Sequence, residues 1–334
     1  MATYRSFITI FVVAGFPILF GACRNPLQNG PVAVKQEGIT VTRYEKALFA
    51  IDPERVKQEL PKMIPEFSFF LGDNWQDTMN LRRIKNYLRD PNIRELYSRV
   101  ITRFPDTGYF RNDIDKLIRK VQEYYPDKKI SHVYTYVSGL DLDVPVFITD
   151  TVMVIALDLF LGDTEPAYDK AGIPGYIQNR LQPENLLPAC VNAFADSVVK
   201  LDEDNQSLLD LMVAAGKRYY LMDIMIPDTR EDHKVGYTLE KLRWCRENEA
   251  NIWAFLVGNQ LLYTHDPRII SKMMADAPFT SGFSEQSPGR LGDWLGWQIV
   301  KAYIKNNPGV SLQELLRNTK GQEILQASKY KPDK

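Results

Sequence analysis

The chain has 334 residues, 45% hydrophobic and 25% charged, with a formal net charge of −1. That balance is ordinary for a globular protein. It excludes a nucleic-acid binder built on a basic surface and provides no acidic tract for buffering metal ions.

The first residues carry the clearest signal. Arg5 is the one charge in Met1–Ser6, Phe7–Phe20 is almost wholly apolar, and Gly21-Ala22-Cys23 follow. Small residues before a cysteine let the backbone enter a lipoprotein signal peptidase. Residues 1–22 therefore read as a lipoprotein signal peptide, with Cys23 taking a diacylglyceryl group and palmitate-type chains. A signal anchor and an ordinary cleaved signal are the alternatives. The apolar run is shorter than the roughly 20 residues a membrane span needs, and Gly15 and Pro17 interrupt it. Residues 23–37, with Pro26, Gly30 and Pro31, form a lipidated tether. Residues 38–334 are expected to form a single globular α+β body.

Within that body Ile39–Arg43 reads as a first strand, and Asp52-Pro53 as the start of a helix to about Met63. Helices are expected at Asn92–Thr102 and Asn112–Tyr124. The β signal lies in the middle, at His132–Ser138, Pro145–Ile148 and Thr151–Leu159, with Thr149-Asp150 as a turn. Helical apolar spacing then takes over at Leu187–Leu201, Gln206–Ile226, Thr238–Tyr263, Arg290–Asn306 and Ser311–Asn318. The pattern predicts a small mixed sheet with a predominantly helical C-terminal half.

The chemistry-bearing residues are sparse. His132, His233 and His265 are the three histidines and lie far apart, so no catalytic or structural metal site and no cofactor is expected. No G-x-S-x-G elbow, phosphate loop or dinucleotide fingerprint occurs. Cys190 and Cys245 read as buried free thiols, with a disulfide as the alternative. The densest constellation is Tyr237, Trp244, Asn248, Glu249 and Trp253, with Arg290, Trp294 and Trp297 on a later helix. Its expected centre is an ion pair between Glu249 and Arg290. Core packing between two long helices is favoured for this cluster over a glycan or peptide pocket walled by aromatics.

Several segments together carry a resemblance: YTYVSGLD (134–141), LDLFLGD (157–163), GIPGYIQNRLQPENLLP (172–188), GKRYYLMDIMIPDT (216–229), GYTLEKLRWCRENEANIW (236–253), APF (277–279), SPGRLGDWLGWQIVKAYIKNN (287–307) and SKYKP (328–332). In this order they resemble the gliding-motility lipoprotein B family of the Bacteroidetes. The resemblance implies an extracytoplasmic lipoprotein tied to gliding. That family is in turn distantly similar to zincin peptidases, whose H-E-x-x-H helix binds zinc. This chain has no H-E-x-x-H; Asn192-Ala-Phe-Ala-Asp196 falls in that slot, and no carboxylate stands near Ala214–Lys217, where a later ligand would fall. The expectation is a degenerate zincin-like fold that acts without catalysis, as a scaffold or binding component of the gliding and secretion apparatus. A hydrolase with an unrecognised site, or a glycan- or peptide-binding module, is the alternative. Expected partners are the membrane, through lipid on Cys23, and other envelope proteins. Arg24-Asn25, with no acidic tract, suggests a periplasm-facing anchor.

Overall fold

The computed structural model describes residues 38–202 and 206–332. The expected signal peptide, tether and lipid site at Cys23 lie outside the described residues.

One sheet organises the fold, with strand order β1-β2-β4-β3. Its strands are β1 (Thr40–Arg43), β2 (His132–Tyr136), β3 (Val146–Ile148) and β4 (Val152–Ala156). β1, β2 and β4 are parallel, with Thr40 beside His132 and His132 beside Val152. Parallel pairing needs a long crossover, and the helical stretch between Arg43 and His132 supplies it. β3 turns back on β4 with Val146 opposite Ile155. The turn forms where the sequence places it: Thr149 N donates to Val152 O at 2.8 Å, and Val152 N donates to Thr149 Oγ1 at 3.0 Å.

The period-2 alternation gives the sheet two apolar faces. Tyr134 and Val154 face one core with Tyr44, Leu60, Phe67 and Leu88. This core is built by α1 (Tyr44–Phe49), the irregular helical run Val56–Leu71 and α2 (Thr78–Arg89). Val133, Met153 and Ile155 face the larger core. That core includes α3 (Pro91–Arg103), α4 (Arg111–Tyr124), α5 (Leu186–Val198), α6 (Leu208–Met225), α7 (Leu239–Glu247), α8 (Glu249–Gly258), α9 (Leu291–Asn306), α10 (Leu312–Arg317) and α11 (Gly321–Ser328). The fold is thus α+β, with a four-stranded mixed sheet and helices filling most of the C-terminal half.

The closest helix crossing is between α6 and α9, and glycine makes it possible. A Cβ on Gly216 would stand 2.2 Å from Gly296 O, and one on Gly296 would stand 1.7 Å from Met212 O. Only bare backbone fits there. The crossing seats Trp294 and Trp297 fully inside and carries both helices to the cleft described below.

Three expected elements differ. The strand expected over Thr151–Leu159 ends at Ala156, and Leu157–Leu159 form a short 3-10 helix. The helix predicted from Pro53 begins at Val56, because Asp52 closes a turn first: its Oδ1 accepts from Glu54 N at 2.9 Å and its carbonyl accepts from Arg55 N at 2.8 Å. The helix predicted over Thr238–Tyr263 is two helices. Asn248 leaves helical geometry at φ −112°, ψ 10°, and its Nδ2 donates to Trp244 O at 2.9 Å. A side chain bonding its own preceding turn competes with helix continuation.

Candidate binding cleft

A cavity of about 440 Å³ opens between β3 and the helical half. One wall is Leu142, Asp143, Pro145 and Val146; the opposite wall is the α5 face Pro188, Ala189, Asn192, Ala193 and Asp196. These α5 positions recur at three- and four-residue intervals and so share a face. The small side chains of Ala189 and Ala193 leave space between helix and strand. The polar side chains Arg180, Asn185, Tyr219, His233, Lys234, Asp276 and Arg290 also line it, among apolar neighbours such as Phe160 and Met222.

Arg290 is the hub of the charged end. It precedes α9 in left-handed geometry, φ 52°, which is strained for a non-glycine residue. Its Nε meets Asp276 Oδ1 at 2.7 Å, Nη1 donates to Tyr219 Oη at 2.8 Å and Nη2 donates to Val235 O at 2.8 Å. Asp293 Oδ2 lies 3.5 Å from Nη1. Burial raises the Asp293 carboxyl to about 6, against the pull of Arg290. Burial also pushes Tyr219 up to about 12 and Tyr237 well above its ordinary range. Both phenols therefore remain hydrogen-bond donors at neutral pH. Tyr237 spends its hydroxyl on the carbonyls of Gly289 and Arg290, at 2.8 and 2.9 Å.

The other cations have protein partners as well. Lys234 Nζ meets Asp223 Oδ1 at 2.9 Å, and Trp297 Nε1 donates to Asp223 Oδ2 at 2.8 Å. Arg218 Nη1 donates to Asp196 Oδ1 at 2.6 Å and to Asn192 Oδ1 at 3.2 Å. Arg180 Nη2 meets the second oxygen of Asp276 at 2.8 Å. The Arg180 stem runs past Gly236, whose φ of +69° and missing Cβ admit it; a Cβ there would lie 2.6 Å from Arg180 Cγ. Asn185 Nδ2 donates to His233 O at 2.7 Å, while its buried Oδ1 has no partner among the described residues.

The predicted cluster is divided by this arrangement. Arg290 lines the cleft and Tyr237 bonds to its carbonyl, while Trp297 is buried behind the cleft against the Tyr219 ring at 5.5 Å. Glu249 does not pair with Arg290: it accepts from Tyr330 Oη at 2.6 Å, and Trp253 packs edge-on against the Tyr330 ring at 5.2 Å. The break at Asn248 is the physical reason, since it starts a new helix at Glu249 and redirects that side chain. Trp244 packs against Phe283 at 6.3 Å, and Trp294 lies in the core. Cys190 and Cys245 are both buried free thiols. Burial pushes the Cys190 thiol up to about 12, so it stays protonated and inert. His132 and His265 are exposed and lie outside the cleft lining, which holds His233. Among the described residues, no three His, Cys, Asp or Glu side chains are grouped to hold a metal ion.

Arg180, Asp276, Tyr219 and Asp293 were not legible as site residues. Arg180 and Tyr219 lie inside segments that carry the family resemblance, and Asp276 immediately precedes one, but no spacing rule joins them. A loop brings Asp276 to both arginines.

The sequence matches the gliding motility protein GldB family over residues 28–332. The chain belongs to that family. It is accordingly a gliding-motility-associated lipoprotein. No curated protein and no solved structure matched it. No described helix is long and apolar enough to cross a membrane.

Proposed function

We infer that this GldB-family protein is held to the envelope by lipid on Cys23, faces the periplasm, and serves the gliding and secretion apparatus by binding rather than by catalysis. The observation that carries the reading is the use of the cleft's ionic groups. Asn192 and Asp196, one turn apart on α5, are spent on Arg218, and Lys234 is spent on Asp223. Groups engaged with each other define a shape and a charge pattern; general acid–base work needs one that is poised toward a reacting atom. On the zincin analogy, Asn192 and Asp196 would stand in the place of the metal-binding pair, so a peptidase-like scaffold put to binding fits the same facts.

The test is genetic and biochemical together. Cells lacking the gene are complemented with a chain carrying Asn192→Gln and Asp196→Asn, and colony spreading is measured beside protein abundance. Spreading is expected to persist, because both substitutions keep an acceptor for Arg218. Lost spreading at normal abundance, or a stoichiometric zinc whose chelation lowers the melting temperature, overturns the non-catalytic reading.

A further inference from the structure

β3 is an edge strand, and among the described residues no strand pairs with its outer side. Pro145 O accepts from Ala156 N at 3.0 Å and Thr149 N donates to Val152 O at 2.8 Å. With Val146 opposite Ile155 and Phe147 opposite Val154, these bonds place positions 145, 147 and 149 in the ladder. The alternation of an antiparallel pair then turns the N–H and C=O groups of Val146 and Ile148 away from β4. No described residue meets them. The other edge strand, β1, reads Thr-Val-Thr-Arg, the polar kind of edge that discourages pairing. The β3 edge is apolar instead. Leu142, Val144 and Phe147 are exposed along it, and exposed Phe69 lies 6.2 Å from Phe147, ring to ring.

Two polar features of the adjoining cavity select what could pair there. Asn185 is 5% exposed, lines the cavity, and has an Oδ1 without a donor among the described residues. The Arg180 guanidinium is bonded only to Asp276 among the described residues, and Asp276 is a half-exposed carboxylate on a loop. One carboxylate shared between Arg180 and Arg290 has the geometry of an anionic ligand group held between two guanidiniums.

The geometry points to a peptide site: an extended segment of a partner polypeptide adds to β3 as a fifth strand and sets a carboxylate on Arg180, in exchange for Asp276. Main-chain pairing supplies affinity, and alternate side chains supply specificity. Along the segment, every second side chain lies beside Val146 and Ile148 on the α5 side, and the others lie beside Phe147 and Phe69. A backbone N–H within the cavity satisfies Asn185 Oδ1. The carboxylate is the chain terminus or an acidic side chain. This assignment rests on the reading that the cleft binds rather than reacts.

The test uses the full lipidated chain in detergent and a randomised hexapeptide library with free C-termini, beside the same library amidated and a third N-methylated at alternate positions. Retained peptides are expected to be rich in apolar residues at alternate positions and to lose binding at least about tenfold on N-methylation. If amidation abolishes retention, the terminus is the carboxylate; if only peptides with Asp or Glu survive amidation, the side chain is. Arg180→Gln is expected to remove the preference for a carboxylate, and Asp276→Asn to strengthen binding of the same peptides. Ile148→Pro deletes an outward N–H while sparing the ladder, and is expected to weaken acid and amide peptides alike. Retention that is indifferent to N-methylation and to Arg180 overturns the proposal, as does a protein that dimerises through β3 and loses the dimer in Ile148→Pro. If peptide binding behaves as expected but cells carrying Arg180→Gln spread normally, the peptide site stands and the gliding role of the cleft falls. If no peptide binds yet those cells fail to spread, the peptide assignment falls and the binding role survives.

Discussion

Single buried groups do much of the fixing in this fold. Asp158 is fully buried, and its carboxylate accepts from Ser138 N, Gly139 N and Leu140 N at 2.8–2.9 Å and from Ser138 Oγ at 3.0 Å. Those bonds hold the loop after β2 in its left-handed geometry, Gly139 at φ 81° and Leu140 at φ 67°, and so set where the cleft wall begins. Lys217 on α6 is the opposite case. Its side chain is inside, its ammonium donates to Asn318 O, and burial draws its pKa down to about 8 against the attraction of Asp210. Between about pH 8 and the ordinary lysine range, the unfolded chain holds a proton that the folded chain has released. Stability therefore rises with pH across that window, by up to about 3 kcal/mol. Lys217→Met is expected to lose this rise. Urea unfolding of both proteins near neutral pH and near pH 10 checks it, since the tyrosines titrate equally in the two. An equal pH response in both proteins would place the burial cost elsewhere.

At the scale of elements, most of the architecture was legible and the pairings were not. The strands announced themselves through alternation, because each side of the sheet meets its own core. The parallel pairing of β1, β2 and β4 was not read beforehand; the long helical crossover between Arg43 and His132 accounts for the pairing of β1 with β2. The break at Asn248 was hidden, since apolar spacing continues through it and only a side-chain bond to Trp244 O ends the helix. That hidden break misplaced Glu249, and the true partner, Tyr330, comes from beyond α11, too far along the chain for any spacing rule. Burial and the neighbouring Glu249 push the Tyr330 phenol well above its ordinary range, so the hydroxyl remains the donor. A double-mutant cycle separates the two pairings. Glu249→Gln with Tyr330→Phe is expected to be non-additive by about 0.5–3 kcal/mol, as groups in contact are. Glu249→Gln with Arg290→Gln is expected to add within about 0.5 kcal/mol. Coupling in the second cycle and additivity in the first would restore the pairing read from sequence.

For the whole molecule, attachment and action separate. Cys23 lies before Gly38, the first described residue, while both cores are built from residues Ile39 onward. Lipidation on Cys23 should therefore contribute nothing to folding and nearly everything to membrane residence. A diacylglyceryl group with an added acyl chain buries many CH₂ groups at roughly 0.8 kcal/mol each, beyond what reversible binding requires. Cys23→Ser is expected to leave the unfolding midpoint of the body unchanged, to abolish incorporation of labelled palmitate, and to move the protein out of the membrane fraction or stall it as an uncleaved precursor. Gliding should fail in the same cells while the peptide affinity of the cleft persists, because a partner on the envelope is met only by a protein held there. If Cys23→Ser remains membrane-bound without label, and colonies still spread, attachment resides in another part of the chain and the lipid reading of residues 7–23 is wrong.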